Sequence, residues 1–258
     1  MKKLLNFTLP ILLVPLLNGC SSLYTYEDSE KYISSSDFEI NSKIEEIELN
    51  WINGNVNLFQ NENETISINE TNQGNYPLYY YLDETTLKIA FVKSGTNQSV
   101  FNTLNKEINI YLPSYLIDLD FDIVNGTVKS NSNISTKEMD VDIVNGNIEV
   151  NQVNASLLDW ATVNGSIKIE TLNSPKLEID KVNGDSTINN ILAKTYINID
   201  SVNSSDKITV PSSLGYKVSY EAIGSFTSDY DNAKNYGNEE VEIKYNAANG
   251  SLKILKLD

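Results

Sequence analysis

Carboxylates recur in this sequence at fixed places: Asp120 and Asp122, Asp140 and Asp142, Asp159, Glu178 and Asp180, then Asp200. Each stands three or five residues before an asparagine, and those asparagines (Asn125, Asn145, Asn164, Asn183 and Asn203) are 19 or 20 residues apart. Two carboxyls held close can run glycoside hydrolysis if one keeps its proton. A stacked row of them can instead share divalent cations, and calcium accepts several oxygen ligands in flexible geometry. The candidate Ca2+ ladder is Asp120, Asp122, Asp140, Asp142, Asp180 and Asp200. Against both readings, the acids repeat uniformly instead of gathering at one place, and the glycine- and aspartate-rich calcium nonapeptide is absent. The plain alternative is a solvated strand face that keeps the protein soluble, with no catalytic residue. The 258 residues contain no histidine, which removes the commonest general base and with it Ser-His-Asp and Cys-His triads.

The acids are positioned by a phrase written five times between Asp118 and Val210, with the asparagine as position zero. Positions −6 and −4 are large and apolar (Leu119 and Phe121, Met139 and Val141, Leu158 and Trp160, Leu177 and Ile179, Ile197 and Ile199), and position −1 is always valine. Alternation of period two puts −6 and −4 on one face and the acids at −5 and −3 on the other. Positions +3 and +5 are again mostly apolar (Val128, Ile148 and Val150, Ile167 and Ile169, Ile188, Ile208), and apolar residues follow at Ile134, Val153, Leu172 and Ile191. Each repeat therefore supplies about three inward segments, one coil of a β-solenoid, in which coils stack ~4.8 Å apart and bury a core that no single repeat could bury alone. Valine at −1 breaks the alternation, so a bulge that turns it inward is expected there. The corners are Asn125-Gly126, Asn145-Gly146, Asn164-Gly165, Asn183-Gly184 and Asn203. Asparagine tolerates a left-handed backbone, glycine needs no Cβ clearance, and stacked asparagines can form a hydrogen-bonded ladder. The competing fold is an antiparallel meander in which each Asn-Gly closes a hairpin.

The phrase also occurs around Asn53-Gly54 and Asn249-Gly250, outside the regular block. At the N-terminus, Lys2 and Lys3, an apolar run from Leu4 to Leu17, and Leu17-Asn18-Gly19-Cys20 have the form of a lipoprotein signal, with Cys20 as the lipid-bearing residue. The run is shorter than the ~20 residues of a membrane span and contains Pro10 and Pro15. The expected organisation is a signal peptide over 1–19, a tether over 20–36 and one elongated β domain over 37–258. Within that domain, 37–112 is irregular β structure, 113–210 the regular repeats and 211–258 a C-terminal cap. Without Lys2 and Lys3, 17 basic residues face 35 acidic ones, a formal charge of −18. That balance excludes nucleic acid as a partner and electrostatic adhesion to anionic lipid. The single cysteine leaves no thiol for a disulfide.

The VNG phrase at this spacing, the LPSYL segment at Leu112 to Leu116, and the early FEI…IEEIELNWINGNVNL stretch resemble the DUF4097 family of bacterial adhesin-like β-solenoid proteins. The likeness runs from Phe38 to Leu257. It implies an exported or membrane-associated solenoid and brings no catalytic residues with it. The expected function is a cell-envelope lipoprotein, lipid-anchored to a bacterial membrane, with a structural or adhesin-like role toward an envelope protein or glycan. Aromatic residues (Tyr79 to Tyr81; Tyr216, Tyr220, Phe226, Tyr230, Tyr236) are candidate contacts. A polysaccharide-acting β-helix enzyme and a calcium-binding surface protein are the alternatives.

Overall fold

The structure, a computed structural model, describes residues 23–257; the signal segment and Cys20 lie outside the described residues. Strands Asp118–Asn125, Glu138–Asn145, Leu157–Asn164, Lys176–Asn183 and the first half of Thr195–Pro211 stack in parallel with asparagine over asparagine. Beyond the corner, Val128–Ser135, Ile148–Asn154, Ile167–Asn173, Ser186–Ile188 and the second half of Thr195–Pro211 stack the same way. Each strand thus pairs with its equivalent one repeat later. The Asn-Gly pairs close no hairpin, and the fold is a β-solenoid, not a meander.

Inward positions from successive coils form one continuous core. The coil around Asn145 contributes Met139, Val141, Ile143, Ile148, Val150 and Val153, each at most 2% exposed. Burial of one such side chain is worth roughly 1.5–3 kcal/mol, and a lone coil would leave all six half in water. The first coil is one residue longer than the second, and it absorbs the extra residue in a register shift between Ser130 and Asn133.

Two expectations about the corner are corrected. Alternation continues unbroken to position −2, where Ile123, Ile143, Thr162, Lys181 and Ser201 are buried, so the valines at −1 lie half-buried on the outer face beside the acids. No column asparagine is among the described non-glycine residues with positive φ. The corner is instead made by stacking. Asn145 donates from Nδ2 to Asn125 Oδ1 at 3.0 Å, Asn164 to Asn145 at 3.0 Å, Asn183 to Asn164 at 3.0 Å, and Asn203 to Asn183 at 2.9 Å. The glycines stack in a column beside them. A Cβ on Gly165 would lie 1.5 Å from the carbonyl oxygen of Gly146, and one on Gly146 would lie 1.6 Å from that of Gly126.

Both outlying copies of the phrase belong to the same array. Glu46–Gln60 lies directly against the first regular coil with Asn53 under Asn125, and Val241–Leu257 lies directly against the fifth with Asn249 over Asn203. The segments between these copies and the regular block are displaced outward. Thr86–Ala90 and Lys106–Leu112 cover one end, and Tyr216–Ala222 with Phe226–Ser228 cover the other. Residues 241–257, expected in a cap, are therefore an internal coil. Tyr216 and Tyr230 are buried in the cap that lies beyond it, and Tyr220 stacks on Tyr245 at 5.4 Å.

Candidate functional site

The outer face of the Asn-side sheet carries three columns. Register places Glu48, Asp120, Asp140, Asp159, Glu178 and Asn198 at −5, and Asn50, Asp122, Asp142, Ala161, Asp180 and Asp200 at −3. The valines line the third column, at −1. All six ladder acids therefore share one face, but Ala161 interrupts the −3 column between Asp142 and Asp180. Crowding shows in the proton affinities. Partial burial, then the charges of Asp140 and Asp122, raises the Asp142 carboxyl to about 7. Burial followed by Asp159 and Asp120 raises Asp140 to about 6, and burial followed by Asp200 raises Asp180 to about 6. Asp200 accepts from Asn198 and from Asn246, both at 2.7 Å. Among the described residues no group of three or more His, Cys, Asp or Glu is placed to hold a metal ion. In-register stacking explains this, because it sets carboxylates in a line and not around a centre.

At one end of this face the valine column runs under a roof. Residues 23–34, expected as a tether, fold back onto the array: Leu23–Tyr24 pairs antiparallel with Thr96–Asn97, and Ser94 N donates to Tyr26 Oη at 3.2 Å. An aromatic chain fixes the segment, with Tyr24 edge-on to Phe101 at 5.7 Å, Tyr26 against Tyr32 at 4.7 Å, and Tyr32 against Tyr81 at 5.7 Å. Burial raises the Tyr26 and Tyr32 hydroxyls to about 12. Between roof and sheet lies a cleft of about 500 Å³, whose floor includes Ile52, Val124 and Val144. Its margin carries Asn53 and Asn125, where the asparagine ladder stops. Asn53 turns its Nδ2 away to the carbonyls of Phe101 (3.2 Å) and Leu104 (2.6 Å). Asn125 accepts from Asn145, but its own Nδ2 donates to no described residue.

The fold, the glycine column and the asparagine ladder all follow one phrase, and a sequence profile described as Toastrack DUF4097 matches residues 44–255. The chain belongs to the Toastrack DUF4097 family. No curated protein sequence matches it. Among solved structures it is similar to a Bacteroides fragilis protein named as a candidate adhesin, at 16% identity over 88% of this chain and 98% of that one, with a TM-score of 0.49. It is also similar to a candidate cell adhesion protein of Clostridium sporogenes (16%, 86% and 99%, TM-score 0.35). A third is a candidate lipid binding protein of Parabacteroides distasonis (13%, 86% and 96%, TM-score 0.44).

Among its described residues this Toastrack chain also buries two ion pairs that pattern reading passed over. Lys181 at −2 and Asp206 at +3 pair inside the core, where Lys181 Nζ also lies 2.5 Å from Ser186 Oγ. Lys106 meets Glu70 at 2.5 Å, beneath the rings of Trp51 and Phe91. Burial lowers both lysines, Lys106 to about 8. A charged residue standing in a column otherwise filled by apolar or hydroxyl side chains was the available signal, at Lys181 and at Asp206. The roof had a fainter one, the spacing of Tyr24 and Tyr26.

Proposed function

We propose that this Toastrack protein is an exported envelope lipoprotein, held to a bacterial membrane through Cys20, that acts as a non-catalytic binding module. The cleft between the tyrosine roof and the valine column carries the reading, because it joins an apolar floor to polar groups at one end of the array. The lipobox-like Leu17-Asn18-Gly19-Cys20 supports the anchor. Two residues, Ser21 and Ser22, separate Cys20 from Leu23, a reach of at most roughly 10 Å, so an anchored protein holds the roofed end of the array at the membrane surface. Among the described residues no helix is long and apolar enough to cross a membrane.

A photoreactive residue at Asn102, on the cleft margin, should capture an envelope component in living cells, while one at Glu149 on the other sheet should not. Equal capture at both positions would defeat the binding-module reading. Cys20→Ser should move the protein from the membrane to the soluble fraction. Purified protein should leave polyuronides intact; turnover would restore the enzyme alternative.

A further inference from the structure

The lining of the cleft decides what class of ligand suits it. Four aromatic rings, Tyr24, Tyr26, Tyr32 and Phe101, form the roof and back wall, and aliphatic side chains form the floor. Every other long side chain at the surface of the cleft ends in a carboxamide: Asn50, Asn53, Asn102, Asn125, Asn145 and Gln98. Among the described residues no charged side chain lines it. The nearest charges in register are the carboxylates of Asp122 and Asp142, one column over from the floor.

Three ligand classes can be weighed against this lining. An anion would find no counter-charge and would meet the repulsion of the acidic columns. An acyl chain would suit the valines, but it would cover the Asn125 Nδ2 and the Asn53 Oδ1 without giving them hydrogen bonds, and burying unpaired amide groups is costly. A neutral ring system with a hydrocarbon face and hydroxyl edges satisfies both halves of the wall. Its C–H face lies on the electron-rich face of an aromatic ring, and its hydroxyls accept from an open carboxamide N–H such as Asn125 Nδ2 and donate to an open carboxamide oxygen such as Asn53 Oδ1.

The ladder adds a second, independent feature. Along the array the side-chain amides of the corner asparagines satisfy one another from Asn249 back to Asn125. The chain of bonds breaks at the cleft, leaving the Asn125 Nδ2 donor and the Asn53 Oδ1 acceptor without partners among the described residues. Between the ends of the ladder each corner asparagine both donates to and accepts from its neighbours, and at this end one donor and one acceptor are left side by side on consecutive coils. The geometry points to the cleft as a binding site for a neutral saccharide, seated on Tyr32 and the valine floor and hydrogen-bonded by Asn125, Asn53 and Asn102. This deepens the binding-module reading and rests on it.

Calorimetry and saturation-transfer NMR on the full chain test the site, with cellotetraose, maltotetraose and chitotetraose as neutral probes, a tetragalacturonate as the anionic probe, and decanol as the alkyl probe. At least one neutral tetrasaccharide should bind and the uronate should not. Tyr32→Ala should weaken that binding about tenfold, the loss of one aromatic platform. Asn102→Ala, at an exposed position where folding is not at risk, should weaken it several-fold, with the melting temperature of each variant recorded as a control. Binding of decanol with no neutral saccharide bound would overturn the saccharide assignment and leave the binding-module reading standing. Saccharide binding that neither variant changes, in folded protein, would also overturn it. If none of the probes binds and the Asn102 crosslinker captures nothing in cells, both readings fall.

Discussion

Lys181 and Asp206, 25 residues apart in the chain, meet as an ion pair with neither side chain exposed. They occupy positions −2 and +3 of neighbouring coils, which elsewhere hold pairs such as Ile143 and Ile148. Two charges thus stand where the other coils place hydrocarbon or a hydroxyl, as at Thr162 and Ser201. Ser186 completes the site, its hydroxyl beside Lys181 and its backbone N–H donating to Asp206 Oδ1 at 2.6 Å.

Lys181→Met should destabilise the protein by about 3–5 kcal/mol, because it strands a buried carboxylate. The double change Lys181→Ile with Asp206→Val restores the column chemistry of the other coils. It should recover stability to within about 1 kcal/mol of the parent or exceed it. Urea midpoints of the three proteins decide the matter, and a double variant no better than the single would show that the pair is more than a tolerated polar insertion.

The glycine column predicts an asymmetry along the array. Gly165→Ala places a methyl on the Gly146 carbonyl and should cost roughly 2–4 kcal/mol, although Gly165 needs no positive φ. Ser204 already carries a side chain in this column, and its hydroxyl meets the Tyr245 hydroxyl at 2.9 Å. Ser204→Gly should therefore lose roughly 1 kcal/mol at most. Thermal melts showing equal losses at the two positions would contradict the stacking account.

Stability should rise as pH falls from 8 toward 5. Asp142 holds its proton up to about 7 in the folded chain, against about 3.9 when unfolded. Between those values the native state binds more protons than the unfolded state, so acid favours folding. Asp140 and Asp180, raised to about 6, act in the same direction. There is no histidine to add a titration in this window. Lys106, lowered to about 8, opposes the trend only above that pH. A melting temperature higher at pH 5 than at pH 8 is expected, and Asp142→Asn should flatten the slope and stabilise the protein at pH 8. A melt that falls steadily on acidification would be inconsistent with this.

Divalent cations should change the melting temperature little. The carboxylates lie in lines, and Ala161 breaks the −3 column, so no position offers calcium the several converging oxygens it prefers. A large rise with calcium that Asp142→Asn and Asp180→Asn abolish would revive the cation ladder.

Much of the array was legible in the residues. The recurrence of Asn125, Asn145, Asn164, Asn183 and Asn203 with apolar residues at −6 and −4 fixed the period, the inward face and the side on which the acids stand, because strand alternation translates directly into faces. The orientation of Val124 and its equivalents was misread for a local reason. Valine suits either face of a strand, so its type does not reveal its side, whereas the less regular residues at −2 (Ile123, Thr162, Lys181) were the inward ones.

What the sequence by itself determined is the repeating unit: its length, its corner and its two faces, all set by contacts within one coil or between a coil and the next. Only the tertiary structure decided the order of the units and where the roof meets them. Glu46–Gln60 and Val241–Leu257 enter the stack beside the regular coils, ahead of segments that are nearer in sequence, because a parallel ladder rewards any strand of matching register whatever the chain length between them. The cleft depends on that choice. It forms where Tyr24 and Tyr32, from outside the repeats, cross valines and asparagines from coils more than 70 residues apart, a juxtaposition no local pattern encodes.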